Sequence, residues 1–334
     1  MKVLITGGAG FIGSTIASAC MDAGIIPVIL DNLVTGRREF TEGRVFYEGD
    51  IADGVLVDRI FAEHPEIEAV IHCAALIVVP ESVEQPLRYY QENVAKTIAL
   101  LDHLQRNGCE RLLFSSSASI YTPGADFAVD EDSALDPLSP YARTKMLMEL
   151  VFKDTAEATP LRVLSLRYFN PVGADPQLRT GLQTPLPSHA LGKLIEARRS
   201  GGTFRITGTD WPTRDGSGIR DYVHVWDLAR AHVAALRRFD LALPADGAES
   251  YLVVNLGTGD GTTVRELVAA FERVTGDPLP VEETGPRPGD NAGAFTRGDR
   301  AATLLDWRPE LSLDQGIADT LAWFARREAL LDLA

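Results

Sequence analysis

The segment Lys2-Val3-Leu4-Ile5-Thr6-Gly7-Gly8-Ala9-Gly10-Phe11-Ile12-Gly13 decides the architecture. A short β-type run passes directly into a turn with glycines at 7, 10 and 13, and a helix-like stretch follows. Side chains at those positions would hold the backbone away from a pyrophosphate. Glycine lets the amides approach, and the amino end of the helix adds partial positive charge. In a chain with 29 glycines this spacing arises by chance about 0.2 times, so the flanking strand and helix carry the reading.

Working outward, the run at 27–30 ends in Asp31, eighteen residues after Gly13. An acid there accepts hydrogen bonds from ribose hydroxyls and repels a 2′-phosphate, which favours NAD, while the nearby Arg37 and Arg38 pull towards NADP. Further β-type runs at 44–47, 69–72, 111–115 and 161–166 alternate with Ala/Leu/Glu-rich stretches, the pattern of a parallel sheet with crossover helices. The expected fold class is α/β, a Rossmann doubly wound parallel sheet with a smaller α/β substrate-binding region. That region announces itself after about residue 167, with prolines at 171, 176, 185 and 187 and a loop-like stretch at 208–218. Because 225–238 and 251–256 return to the earlier style, the expected domains are discontinuous: 1–167 with about 220–257, and about 168–219 with 258–334.

Composition narrows the function classes. At 334 residues the chain suggests about two domains. With 47 Asp plus Glu against 32 Lys plus Arg, the net charge of −15 disfavours nucleic acid and anionic membranes as partners. An anionic ligand therefore needs locally clustered arginines. Cys20, Cys73 and Cys109 are scattered and form no Cys-x-x-Cys pair, which argues against a disulfide framework or cysteine zinc site and fits a reducing cytoplasm. No apolar run approaches the length of a membrane span, and the amino terminus reads as fold rather than as a targeting segment.

Candidate chemistry lies in Tyr141-Ala-Arg-Thr-Lys145, which puts a phenol and an ammonium one helical turn apart on one face. The cation is expected to stabilise phenolate, lowering the tyrosine pKa so that it acts as a base. Ser115-Ser116-Ser117 ends the fifth strand, where the carboxyl ends of parallel strands converge, and a serine there can bridge a substrate oxygen and Tyr141. Ser115 and Ser116 also suit plain turn formation.

These elements resemble the extended short-chain dehydrogenase/reductase superfamily, and within it the UDP-galactose (UDP-glucose) 4-epimerases. The likeness spans nearly the whole chain: Asp31-Asn32, Gly49-Asp50-Ile51, Ala74-Ala75, Glu81-Ser82, Asn93, the serines, Tyr141/Lys145, the run from Arg167-Tyr168-Phe169-Asn170 to Ala174, and Asp215 to Leu228. Arg220-Asp221-Tyr222-Val223-His224-Val225 is its most specific part. The resemblance implies NAD as cofactor, held by Gly7, Gly10, Phe11, Ile12, Gly13, Asp31, Asn32, Asp50, Ile51, Ala74, Ala75, Asn93, Ser115, Tyr141, Lys145 and Tyr168. Ser117, Tyr141 and Lys145 would be catalytic. Ser117, Tyr141, Asn170, Arg220, Tyr222, Arg287, Asp290 and Ala294 would meet a UDP-sugar, with the arginines on the diphosphate and Asp290 on the uridine ribose. It also implies a homodimer built on the helical stretches 87–106 and 141–153, whose apolar spacing permits such a surface.

Several positions depart from the family pattern. Ile77 replaces a lysine, and the segment 175–189 is short, with Arg179 and His189 in place of an Asn-Leu pair. Arg179 suits a carboxylate partner and raises a UDP-glucuronate 4-epimerase as the rival reading; a catalytically silent NAD-binding regulator is the rival of another class. Ser117 is followed by Ala118-Ser119 rather than the acid pair of sugar-nucleotide dehydratases, which disfavours water loss. Ala294, or Phe295 one residue on, falls where related enzymes restrict the sugar 2-substituent, so Ala294 leaves room for an N-acetyl group unless Phe295 refills it.

Overall fold

Seven strands, hydrogen-bonded in parallel throughout, form the sheet on which everything else is mounted. The computed structural model describes residues 1–185, 187–286 and 291–331. In chain order the elements are β1 (Lys2–Thr6), α1 (Phe11–Asp22), β2 (Ile26–Asp31), β3 (Val45–Glu48), α2 (Gly54–Glu63), β4 (Ile67–His72), α3 (Val79–Glu84), α4 (Pro86–Tyr90), α5 (Lys96–Arg106), β5 (Arg111–Ser117), β6 (Ala128–Val129), α6 (Pro140–Ala158), β7 (Arg162–Tyr168) and β8 (Asn170–Val172). There follow α7 (Ala190–Ser200), β9 (Phe204–Thr207), β10 (Ile219–His224), α8 (Val225–Arg237), α9 (Phe239–Ala242), β11 (Tyr251–Leu256), β12 (Gly261–Thr263), α10 (Val264–Thr275), β13 (Val281–Thr284), β14 (Gly293–Thr296), α11 (Arg300–Leu305) and α12 (Leu313–Leu330).

The large sheet runs β11-β7-β5-β4-β1-β2-β3. Its strand order reverses between β1 and β4, the position where open α/β sheets leave a crevice beyond their carboxyl ends. Both faces are buried, which explains the near-continuous apolar strands. Val3 and Ile5 face a layer containing Ile16, Leu228 and Leu256, while Leu4 faces one containing Leu100, Phe152 and Val70.

A second sheet, β12-β10-β14-β6 with β8 on β10, and the pair β13-β9 make up the smaller region. Its core gathers Leu194, Phe204, Phe271 and Trp323 from α7, β9, α10 and α12. Strand β10 lies in this second sheet, yet it continues into α8, whose Leu228 and Ala231 pack under the large sheet. Among the described residues, no helix is long and apolar enough to cross a membrane.

Candidate active site

The turn after β1 is shaped by close approach. Gly7 sits at φ +68°, and a Cβ there would lie 2.6 Å from the Ala74 backbone nitrogen. At Gly13 a Cβ would lie 2.3 Å from the Gly7 carbonyl oxygen, so the start of α1 packs directly on the loop. Gly10 caps α1, and the amides of Phe11, Ile12 and Gly13 open the helix before any intrahelical acceptor is available. This cradle fits a pyrophosphate.

Asp31 ends β2 beside it. One carboxylate oxygen accepts from the Ala9 amide at 2.9 Å and the other from the Leu33 amide at 2.8 Å, so the acid braces the glycine loop as well as lining it. Burial pushes this carboxyl up, and the two amides oppose that rise. Each oxygen keeps a lone pair for a further donor such as a ribose hydroxyl. Asn32 donates to Asp50 at 3.3 Å, and Lys96 donates to the same Asp50 oxygen at 2.6 Å. Partial burial alone would raise the Asp50 carboxyl; Lys96, the Ala52 amide and Asn32 together hold it low. Ile51 is buried next to it.

The β4 end is set by Asn93, carried on a five-residue π turn, Gln91–Ala95, between α4 and α5. Its amide group accepts from the Leu76 nitrogen at 2.8 Å, donates to the Leu76 carbonyl at 2.9 Å and donates to Thr144 on α6 at 3.1 Å. Asn93 thus fixes the Ala74-Ala75 turn against the helix bearing Tyr141 and Lys145, and Ile77 just beyond is exposed. Below it, the His72 ring lies between Thr6 at 2.7 Å and Thr97 at 3.0 Å. Thr97 gives its proton to the Asn93 carbonyl, so it accepts from His72 and leaves His72 Nδ1 to accept from Thr6.

Ser139 caps α6 by accepting from the Ala142 amide, with Pro140 in the first turn, so Tyr141 and Lys145 project from the helix start. Lys145 is buried; its ammonium donates to the Ser115 carbonyl at 2.6 Å and lies 4.9 Å from the Phe114 ring centre. Burial brings Lys145 down to about 8, resisted by Cys73 and Glu149. Tyr141 differs from the expectation: burial raises its phenol, and only the neighbouring Ser117 hydroxyl pulls the other way. The physical reason is that the ammonium is engaged by a backbone carbonyl of β5 instead of the phenol. Ser117 accepts from the Ser119 amide at 3.2 Å, with Ser117 Oγ donating to Ser119 Oγ at 2.9 Å. Tyr168, opposite Ser117 in register, donates to His232 Nε2, whose other nitrogen lies 2.8 Å from the Leu228 carbonyl.

Across the crevice, register pairs bring the expected substrate residues together. Asn170 pairs with Tyr222, and Arg220 pairs with Ala294. The Arg220 guanidinium donates to the Ile219 and Ala292 carbonyls, both at 2.7 Å, and to the Asn291 carbonyl at 3.3 Å. Gly293 makes room for it, since a Cβ there would overlap the guanidinium. Tyr222 is buried, and burial pushes its phenol up to about 12 against the pull of Arg220. Ala294 packs against the cluster of Tyr121, Val129 and Phe169, to which Ala118, the residue that follows Ser117, also contributes. Phe295 points the other way, over Gly261 and Ile219, and does not refill the space at Ala294. Arg287 and Asp290 lie outside the described residues.

One expectation takes a different form. Arg179 is committed to Asp22, at 2.7 and 2.9 Å, and to Asp175. With the Thr15–Thr180 contact at 3.2 Å and Gln183 donating to the Thr35 carbonyl at 2.8 Å, its segment clasps the glycine-loop half instead of presenting a free cation. His189 is the amino cap of α7, accepting from the Gly192 amide at 3.2 Å. The sequence reading gives no role to Glu149, His72 or His232, and names Arg167 only as part of a family-like run. Only Glu149 left a signal, being an acid two turns past Tyr141 on the same helical stripe.

Residues 3–257 match the model of the NAD dependent epimerase/dehydratase family. A UDP-glucose 4-epimerase of Azospirillum brasilense is 42% identical over 327 residues, covering 96% of this chain and 91% of the relative. The chain superposes with a TM-score of 0.92 on the UDP-glucose 4-epimerase of Stenotrophomonas maltophila, solved with bound NAD and formylated UDP-arabinopyranose, at 36% identity with 98% and 99% of the two chains covered. A UDP-Glc/GlcNAc 4-epimerase of Campylobacter jejuni gives a TM-score of 0.80 and 32% identity, covering 97% and 99%.

Proposed function

The chain belongs to the NAD dependent epimerase/dehydratase family, and from that premise we propose that it interconverts UDP-glucose and UDP-galactose by inverting carbon 4 through a 4-keto sugar. The observation that carries this is the convergence of Ser117, Tyr141 and Lys145 on the glycine cradle at the carboxyl end of the sheet.

Gly7, Gly10 and Gly13 with the first amides of α1 would hold the cofactor's pyrophosphate, and Asp31 its ribose hydroxyls. Bound NAD supplies a hydride acceptor that is regenerated within each turnover, so no net redox occurs. Ser117 orients the sugar 4-hydroxyl, and Tyr141 takes its proton and later returns it. Lys145 holds its buried ammonium on the Ser115 carbonyl, one helical turn from Tyr141, as the positive charge of the site. Arg220 would hold the diphosphate, as a planar guanidinium matched to phosphate oxygens, with Asn170 and Tyr222 beside it. Firm holding of the diphosphate with a loosely held sugar lets the 4-keto intermediate present its opposite face.

Incubation with UDP-galactose without added oxidant, followed by chromatography of the C4 epimers, tests this. UDP-glucose is the expected product, and Tyr141→Phe should slow its formation at least about a hundred-fold. No conversion by NAD-loaded protein would overturn the reading in favour of a silent NAD-binding regulator.

The small Ala294, with Phe295 turned away, supports N-acetylated UDP-hexoses as further substrates. The commitment of Arg179 to Asp22 and Asp175 removes the basis for a glucuronate preference. The division into 1–167 with about 220–257, and about 168–219 with 258–334, is supported by the separate cores around Leu228 and Phe271, although Leu305 and Trp307 pack in the large-sheet core and Phe40 and Tyr222 in the smaller one. A homodimer accounts for Leu87 at 77% exposure and Leu150 at 51%, with Val83 and Ile98 also exposed on the helices from α3 to α6. Light scattering should give twice the chain mass, falling to one in Leu87→Asp/Leu150→Asp. Three free cysteines suit a cytoplasmic location, which fractionation of the source cells tests.

A further inference from the structure

Three consecutive residues of β5 each meet one residue of a single stripe on α6. Ser117 interacts with Tyr141, and the Ser115 carbonyl accepts from Lys145. The third contact is Ser116 Oγ donating to Glu149 Oε1. Glu149 is 5% exposed, and an isolated carboxylate at that depth would be costly. It is matched by Arg167, 4% exposed, through Nε to Oε1 at 3.0 Å and Nη2 to Oε2 at 2.6 Å. This two-point geometry fixes the carboxylate plane as well as its position. Arg167 also donates to Tyr121 Oη at 2.7 Å, and Tyr121 donates to Asn255 at 2.7 Å. Tyr121 in turn packs in the cluster that includes Phe169 and Ala294. One buried polar network therefore joins the strand that bears Ser117, the helix that bears Tyr141 and Lys145, and the wall near the sugar.

We propose that Glu149 is a positioning residue: gripped by Arg167, its carboxylate pins the carboxyl end of β5 to α6 and so fixes the separations among Ser117, Tyr141 and Lys145. This rests on the 4-epimerase reading above. A purely structural ion pair needs no contact with the serine strand. Here the shared acceptor is Oε1, which serves both Ser116 and Arg167.

Three variants test it. Glu149→Gln keeps the shape and removes the charge. Glu149→Met/Arg167→Met removes both charges, leaving no lone buried ion. Ser116→Ala deletes one hydroxyl and leaves the ion pair intact. For Glu149→Gln, kcat on UDP-galactose should fall at least about ten-fold with KM within about two-fold. The dissociation constant for NAD⁺, measured by calorimetry, should rise at least about three-fold while that for UDP stays unchanged. The double Met variant should recover the thermal midpoint of the unsubstituted protein and still show the low kcat. Ser116→Ala should retain the midpoint and lose about three-fold in kcat. Rates per folded molecule within about two-fold of the unsubstituted protein, in the double variant and in Ser116→Ala, would overturn the positioning role. If the unsubstituted protein itself converts no UDP-galactose, the functional reading fails, and the NAD⁺ dissociation constants then decide the positioning role alone.

Discussion

The Lys145 ammonium donates to the Ser115 carbonyl oxygen at 2.6 Å, which ties the cation of the proposed catalytic pair to the strand that carries Ser117. The lysine is thereby fixed in place at the cost of desolvation, and burial brings it down to about 8. The charged form prevails below that value and is lost above it. Tyr141 moves the opposite way, since burial raises its phenol. Activity should therefore rise with pH towards about 8 and level off beyond it, because Lys145 discharges as fast as Tyr141 ionises. A pH–rate profile still climbing at pH 10 would contradict this assignment. Lys145→Met should lose the levelling above pH 8 along with most of the rate.

His72 gives the stability of the fold its own acid limit. It titrates at about 3 when folded because burial, with Lys145 nearby, disfavours its charged form, against an ordinary value of 6.5. The unfolded chain therefore takes up a proton first. The contribution of neutral His72 is fully present above about 6.5 and is lost as pH falls towards 3. At pH 5 the loss should be about 2 kcal/mol relative to pH 8. Urea unfolding of His72→Gln should show a shallower decline over that range and, from lost bonds to Thr6 and Thr97, a deficit of about 1–3 kcal/mol at pH 8.

Asp31 supports the glycine loop with the carboxylate proposed to meet the ribose. Asp31→Asn should bring the dissociation constants for NAD⁺ and NADP⁺ at least about ten-fold closer together, because the repulsion of a 2′-phosphate goes. It should also lower the thermal midpoint, because the charged acceptor of the Ala9 and Leu33 amides is weakened. An unchanged cofactor ratio would remove Asp31 from the ribose site.

Ala294→Tyr should separate the substrates. A phenol at this position replaces a methyl beside the Tyr121, Val129 and Phe169 cluster with a bulky ring. Turnover of UDP-N-acetylgalactosamine should fall at least about ten-fold more than that of UDP-galactose. Equal losses on both would relocate the boundary of the sugar pocket.

Local spacing made the glycine loop, Asp31 and the Tyr141/Lys145 pair legible, because each reports a constraint that acts within a few residues of chain. The Ser116–Glu149 bond joins residues 33 apart, and the Asn93–Thr144 bond joins residues 51 apart. Neither exists until β5, α5 and α6 meet, so no pattern in the linear sequence announces them. The same holds for the protonation of Tyr141. Spacing placed a cation one turn away, but burial and the carbonyl of Ser115 decide where that cation points. Arg179 was misjudged for a related reason: its acidic partner Asp22 comes from a helix 157 residues earlier.

The edge strand β11 joins the large sheet by pairing with β7, from Tyr251↔Val163 to Leu256↔Tyr168. During synthesis the first six strands of that sheet are complete long before this partner emerges. The growing chain must therefore hold an open apolar edge, with Val163, Leu164 and Leu166 uncovered, while the residues up to 251 are added. A chain interrupted before Tyr251 keeps that edge as a template for strand addition by other chains. For this protein, then, a premature stop between β7 and β11 is a source of aggregation and not merely of lost activity.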